Sequence, residues 1–272
     1  MIGISYHAGG MNDQPLEKVV KILGEVGYDG IEMMCGPEAH IPSGEVTDSL
    51  LREVKAMVAE HGLKVAVINP FTVPNLMAMA DEDMDGAIRF YTLLQDVAVE
   101  LGAAGVNFLS GWSKKGDPHA WKVLVEVLKP LCQRAGELGL TMNIHNHESN
   151  IIDSPNKVPL LIHHVGSVHL KLLNDITNFY HLGADIAATT EQLGPLTVHC
   201  HVKGVQGMYP YSRFLIPGEE GDQLDFRCFA EALGKVGYDR YVSVETSPHM
   251  RMEKARIAFG MMDTTLRELG LR

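Results

Sequence analysis

Two rhythms of apolar residues alternate along this chain. Short runs such as 62–70, GLKVAVINP, and 196–202, LTVHCHV, are rich in Val and Ile and suit strands. Between such runs, apolar residues recur three and four positions apart, as at Ile88, Tyr91, Leu94, Val97, Ala98 and Leu101, which is the spacing of one helical face. The pattern predicts strands at 2–6, 27–33, 62–70, 102–110, 140–144, 168–173, 196–202 and 241–245. Helices are expected over 15–26, 48–61, 82–101, 119–138, 185–193, 225–236 and 251–269, with one more opened by Ser154 as N-cap and Pro155 as first helical residue. Thr47 or Asp48 would cap the second. Gly27, Gly62, Gly102, Gly139, Gly194 and Gly237 stand where a left-handed C-cap turns each chain end back toward a strand.

Strands alternating with helices require a parallel sheet with right-handed crossovers. Eight such units in 272 residues favour a closed (β/α)8 TIM barrel over an open doubly wound sheet. No GxGxxG follows the first strand, which argues against a dinucleotide fold. No Pro- or Gly-rich linker divides the chain, so 1–272 reads as one domain. The two longest irregular stretches, 69–83 and 204–223, both follow strands and so lie over the active face of a barrel. The second carries Tyr209, Tyr211, Arg213 and Phe214, and reads equally as a substrate lid, a subunit contact in a homo-oligomer or an idle loop.

Composition narrows the partners. The chain is 46% hydrophobic and 21% charged, as expected of a globular protein, with a formal net charge of −11. An acidic surface repels nucleic acids and anionic membranes alike. Four scattered cysteines without a CxxC pair look like reduced thiols rather than a disulfide framework. The opening MIGISYHAGG enters a strand without a basic or long apolar leader, and no apolar run is long enough to span a bilayer, so the cytoplasm is the expected location.

The chemistry concentrates at the carboxyl ends of the later strands. His145, His201 and Glu245 each follow a β-rich apolar run directly, and Asp175 ends the less regular VHLKLLN. One such coincidence means little, but four in succession, all nitrogen or oxygen donors, suit a divalent ion with open positions for substrate oxygens.

At this point the sequence resembles the xylose isomerase-like barrel superfamily, which includes sugar isomerases and epimerases, inosose dehydratase and endonuclease IV. The resemblance rests on GYDGIEM at 27–33, HNH at 145–147, the D-x-x-N at 175–178, HCHVK at 199–203, PGEEGDQLDF at 217–226 and GYDRYVSVETS at 237–247. It implies that His145, Asp175, His201 and Glu245 hold a divalent metal, manganese by family habit, although magnesium, cobalt, zinc or iron also fit such donors. His145 stands where many epimerases have glutamate, while the inosose dehydratase branch has an HxH there. Asn178 and Gly204 also depart from the usual residues. The resemblance further implies that Glu32 contacts substrate or supports the site.

The implied reaction is metal-assisted proton abstraction alpha to the carbonyl of a keto-sugar, with Glu245 or a group beside it as base and an enediolate as intermediate. Reprotonation gives an isomerase or epimerase. Loss of a β-leaving group gives a dehydratase or lyase, and a barrel that lost this chemistry would be a non-catalytic sugar-binding protein. The second proton-transfer group is left open among His147, Glu148 and His145. His7, Asn69, Lys203, His199 and Arg213 are further substrate-binding candidates. Lys203 could instead pair with Asp175 or Glu245, His199 could be a packed barrel histidine, and Arg213 an ordinary surface residue. Endonuclease IV chemistry is disfavoured, because Asn69 and Ser110 stand where that family needs histidines.

Overall fold

A computed structural model describes residues 1–111, 116–245 and 252–272. Its eight barrel strands are β1 (Gly3–His7), β2 (Gly30–Gly36), β3 (Lys64–Pro70), β4 (Gly105–Leu109), β5 (Thr141–His145), β6 (Leu170–Asp175), β7 (Thr197–Val202) and β8 (Tyr241–Val244). All pair in parallel with their sequence neighbours, and the β1–β2 and β1–β8 pairings close the ring. Around it lie α1 (Leu16–Val26), α2 (Asp48–Glu60), α3 (Met84–Leu101), α4 (Pro118–Glu137), α5 (Lys157–Val165), α6 (Ile186–Leu193), α7 (Phe226–Lys235) and α8 (Met252–Glu268). The (β/α)8 barrel expected from the apolar pattern is therefore present. No helix among the described residues is long and apolar enough to cross a membrane.

The helix ends show why the chain turns where it does. Thr47, rather than Asp48, caps α2 by accepting a hydrogen bond from the Leu50 amide. Asp185 and Asp225 cap α6 and α7 in the same way. Four departures from the sequence reading have local causes. Gly194 is not left-handed: its φ is −47°, and it opens a short 3-10 turn, Gly194–Leu196, packed against Val236. The helix expected to open at Ser154 begins at Lys157 instead, after a turn. The stretch 69–83 contains a helix of its own, Leu76–Glu82, capped by Asn75. The stretch 204–223 forms a β-hairpin, Gly204–Gln206 against Arg213–Leu215. Position 251, the expected start of the last helix, lies outside the described residues.

Alternation along each strand sorts its residues between two environments. Ile4, Tyr6, Ile31, Met33, Val106, Phe108, Met142, Ile144, Cys200, Val202, Val242 and Val244 join the buried apolar layer beneath the helices. The other face points into the lumen, where TIM barrels usually stack branched aliphatic residues. Here Ser5, Glu32, Asn107, Asn143, His199 and Ser243 occupy it, each 2% exposed or less. Buried polar groups without partners are costly, so this interior holds only if its members satisfy one another.

Candidate metal and substrate site

Strand register brings the four expected ligands to one end of the barrel. Asp175 on β6 is level with His201 on β7, and His201 is level with Ser243 on β8, two residues before Glu245. One donor atom from each of His145, Asp175, His201 and Glu245 lies within 4.8 Å of every other. A divalent ion about 2.1 Å from each donor would leave the donors roughly 3–4 Å apart, so the set fits such an ion with modest contraction. The nearest pairs are His201 Nδ1 and Glu245 Oε2 at 3.0 Å, and His145 Nε2 and Asp175 Oδ2 at 3.2 Å.

Asp175 is held on several sides. Its side chain caps the one-turn helix Ile176–Tyr180, with Oδ1 accepting from the Asn178 amide. The Asn178 side chain, one of the departures from the family's usual residues, donates 2.9 Å bonds to Asp175 Oδ2 and to the Asn146 carbonyl. Asn146, the middle residue of HNH, clamps the Asp175 backbone from both sides, accepting from its N–H and donating to its carbonyl at 2.9 Å each. These asparagines were not assigned roles from the sequence. The available signal was the retention of polar residues between ligands at strand ends.

Lys203 is a resident cation of the two carboxylates. Its ammonium contacts Asp175 Oδ2 directly and stands 2.7 Å from Glu245 Oε2, while its other flank faces the Phe214 ring at 5.2 Å. Burial opposes a charge there, but Asp175 and Glu245 outweigh it and raise the Lys203 pKa further. It therefore pairs with both acids named as alternatives. With the imidazoles neutral, as ligands to an ion are, three carboxylates, Glu32, Asp175 and Glu245, against one ammonium leave a formal −2 around the cluster, the charge that one divalent ion would balance.

Glu32 and His199 do not line the cavity. Glu32 is wholly buried and reaches across the lumen, where Oε1 accepts from the Nε2 atoms of both His199 and His201 at 2.7 Å. Burial opposes the Glu32 charge, yet the two imidazoles hold its carboxyl well below the usual range. His201, facing Glu32 with one nitrogen and Glu245 with the other, is pushed up to about 10 against its own burial. His145 moves the opposite way: burial outweighs Asp175 and Glu245 and lowers it to about 4, keeping the ring neutral as a ligand must be.

These shifts set opposite pH limits on the ion-free protein. His201 contributes stability that is complete below its reference value of 6.5 and is lost as pH rises through about 10. His145 contributes stability that is present above 6.5 and is lost as pH falls through about 4. In thermal melts with chelator present, His201→Gln is expected to flatten the alkaline decline. An unchanged alkaline limb would place its origin elsewhere.

Beside the cluster opens a cavity of about 290 Å³, lined by a polar wall that includes His7, Asn69, His145, His147 and Glu245 and an apolar one that includes Phe71 and Phe108. Glu245 contacts His145, His201 and Lys203 through Oε2. His147 Nδ1 lies 2.8 Å from Glu148 Oε2, and that same oxygen is 3.7 Å from His181 Nε2. His181 bonds Ser212 at 2.8 Å, tying the 204–215 hairpin to this wall. Among the expected substrate contacts, His7 and Asn69 reach the cavity. Arg213 does not: it is exposed on the hairpin, donating to Gln206.

The fold has counterparts among known proteins. A family model described as a xylose isomerase-like TIM barrel matches residues 20–264. Fructoselysine 3-epimerase of Escherichia coli O157:H7 is 26% identical over 247 residues, 85% of this chain and 85% of its own. The structure of D-psicose 3-epimerase with D-tagatose from Clostridium cellulolyticum H10 superposes with a TM-score of 0.80 at 15% identity, over 97% of this chain and 99% of that one. A xylose isomerase-like TIM barrel protein from Mycobacterium smegmatis, in complex with magnesium, gives 0.79 at 19% identity, over 100% of this chain and 98% of that one.

Proposed function

This chain belongs to the xylose isomerase-like TIM barrel family, and on that premise we propose that it is a divalent-metal-dependent sugar epimerase or isomerase. The observation that carries the reading is the convergence of His145, Asp175, His201 and Glu245 beside a cavity that Glu245 and His147 both line. The fructoselysine and D-psicose 3-epimerases among its relatives support a keto-sugar as substrate. When bound by these four residues, a divalent ion would polarise the substrate carbonyl and stabilise negative charge on its oxygen. Manganese is the first ion to test, with magnesium, present in a structural relative, as its comparator.

The chain's own groups carry the proton transfers. Glu245 is ionised, since Lys203 and His201 outweigh its burial and hold its carboxyl well below the usual range. It removes the proton alpha to the carbonyl. His147, backed by the Glu148 carboxylate, delivers a proton to the substrate. The same Glu148-backed imidazole favours a second reading, a dehydratase, in which His147 protonates a departing β-hydroxyl. Incubation with keto-sugars and cyclic polyol ketones in deuterium oxide, followed by NMR, separates the two. A deuterated epimer or isomer supports the first, and a new double bond the second. Absence of both, with manganese bound, would overturn the enzyme reading.

His147→Gln is expected to slow product formation by about 10²-fold while leaving exchange of the α-proton with solvent largely intact. Equal loss of exchange and turnover would make His147 part of the first step instead.

A further inference from the structure

Glu32 ends a polarised chain of side chains that crosses four strands of the barrel. Thr141 Oγ1 donates to Asn143 Oδ1 at 2.7 Å, and Asn143 Nδ2 donates to Asn107 Oδ1 at 2.9 Å. Asn107 Nδ2 donates to Asn69 Oδ1 at 2.9 Å, and Asn69 Nδ2 to Glu32 Oε2 at 2.7 Å. The direction is forced. A carboxylate can only accept, so Asn69 must offer it the amide nitrogen and turn its oxygen to Asn107. The same requirement passes to Asn143 and ends at a hydroxyl able to donate. Every amide dipole therefore points the same way, an arrangement in which successive hydrogen bonds strengthen one another. Register supports the central link, since Asn107 and Asn143 are level on neighbouring strands.

We propose that Thr141, Asn143, Asn107 and Asn69 are positioning residues of the metal site, acting through Glu32 to fix which nitrogen of His201 faces the ion. With Oε2 occupied by the asparagine chain, Glu32 presents Oε1 to His199 and His201, 2.7 Å from each Nε2. His201 must donate from Nε2, which commits Nδ1, 3.0 Å from Glu245 Oε2, as the ligand atom. Asn143 is the informative member because it is 1% exposed, does not line the cavity and bonds Thr141 and Asn107 rather than a ligand. Asn143→Leu leaves the Asn107 oxygen without its donor and frees the chain to reorient.

The inference rests on the metal reading above, and the experiment keeps the two apart. Mn²⁺ binding to the full chain is measured by electron paramagnetic resonance for wild type, Asn143→Leu, Glu32→Gln and the double variant. Asn143→Leu is expected to weaken binding about tenfold, within the range for groups that support ligands from behind. Glu32→Gln should weaken it at least as much, and the double variant no further than Glu32→Gln alone. Undiminished affinity in Asn143→Leu, or losses that simply add, would overturn the proposal. If Asn143→Leu does not fold, Thr141→Val takes its place in the same cycle. In metal-free protein, the Nε2–H protons of His199 and His201 should exchange with solvent at least tenfold faster in the variant by NMR, and unchanged exchange counts against the chain. Should wild type bind no Mn²⁺, the metal reading fails and this exchange measurement alone decides the role of the asparagines.

Discussion

Glu245→Gln is expected to abolish exchange of the substrate α-proton with solvent deuterium, lowering its rate by about 10³-fold or more. Glutamine keeps the length of the side chain and can still bond His201 and Lys203, so the barrel end should keep its shape. What disappears is the negative charge and with it any basicity. Glu245 is suited to the role because it lines the cavity and because Lys203, 2.7 Å away, keeps it ionised in spite of its burial. Its loss as a ligand could give the same result by emptying the site, so the assay is repeated at saturating Mn²⁺ with metal content measured in parallel. Continued absence of exchange in a metal-loaded variant assigns the proton transfer to Glu245. Recovery under those conditions would leave it as a ligand alone, and undiminished exchange throughout would remove it from the reaction.

The second large effect concerns Asp175. Asp175→Asn should lower divalent-ion affinity about 100-fold or more, since it takes one of the two ligand carboxylates out of the cluster. Asparagine is as good an N-cap as aspartate, so the helix Ile176–Tyr180 keeps its start. The change thus removes the charge and keeps the cap, while its amide nitrogen faces the Asn178 and Lys203 donors that Oδ2 accepted. It also deprives Lys203 of its nearer carboxylate inside the barrel, where breaking a buried pair costs about 3 kcal/mol or more. Adding Lys203→Met should recover most of the thermal stability without restoring ion binding. If Asp175→Asn binds Mn²⁺ as tightly as wild type, Asp175 is not a ligand. If the second substitution recovers nothing, the ammonium is not what destabilises the single variant.

Much of this arrangement was legible before any coordinates, and the reasons are specific. Thr141, Asn143 and His145 share one strand face, as do His199 and His201, because side chains alternate along a strand whatever its neighbours. That local rule was enough to place His145 and His201 at strand ends facing inward. It could not show that Asn69, Asn107 and Asn143 touch, since each neighbouring pair is separated by 36 or 38 residues of chain. Nor could it choose between the readings of Lys203, because an ammonium near two carboxylates and one near a substrate leave the same trace in a sequence. Arg213 was left open between substrate and surface for a related reason. A basic residue in a long loop carries no sign of whether that loop folds inward, and here it forms a hairpin with Arg213 on its outer side.

By itself the sequence determined the repeating strand–helix unit, the closed barrel and the four residues that could bind an ion, because periodicity and side-chain chemistry are properties of short segments. The tertiary structure alone decided that Glu32 grips His201 from across the lumen, that Lys203 sits between two acids and that the asparagines form a directed chain. Those outcomes depend on how eight strands are staggered when the sheet closes on itself. That stagger is set by the packing of the whole ring, and no single segment encodes it.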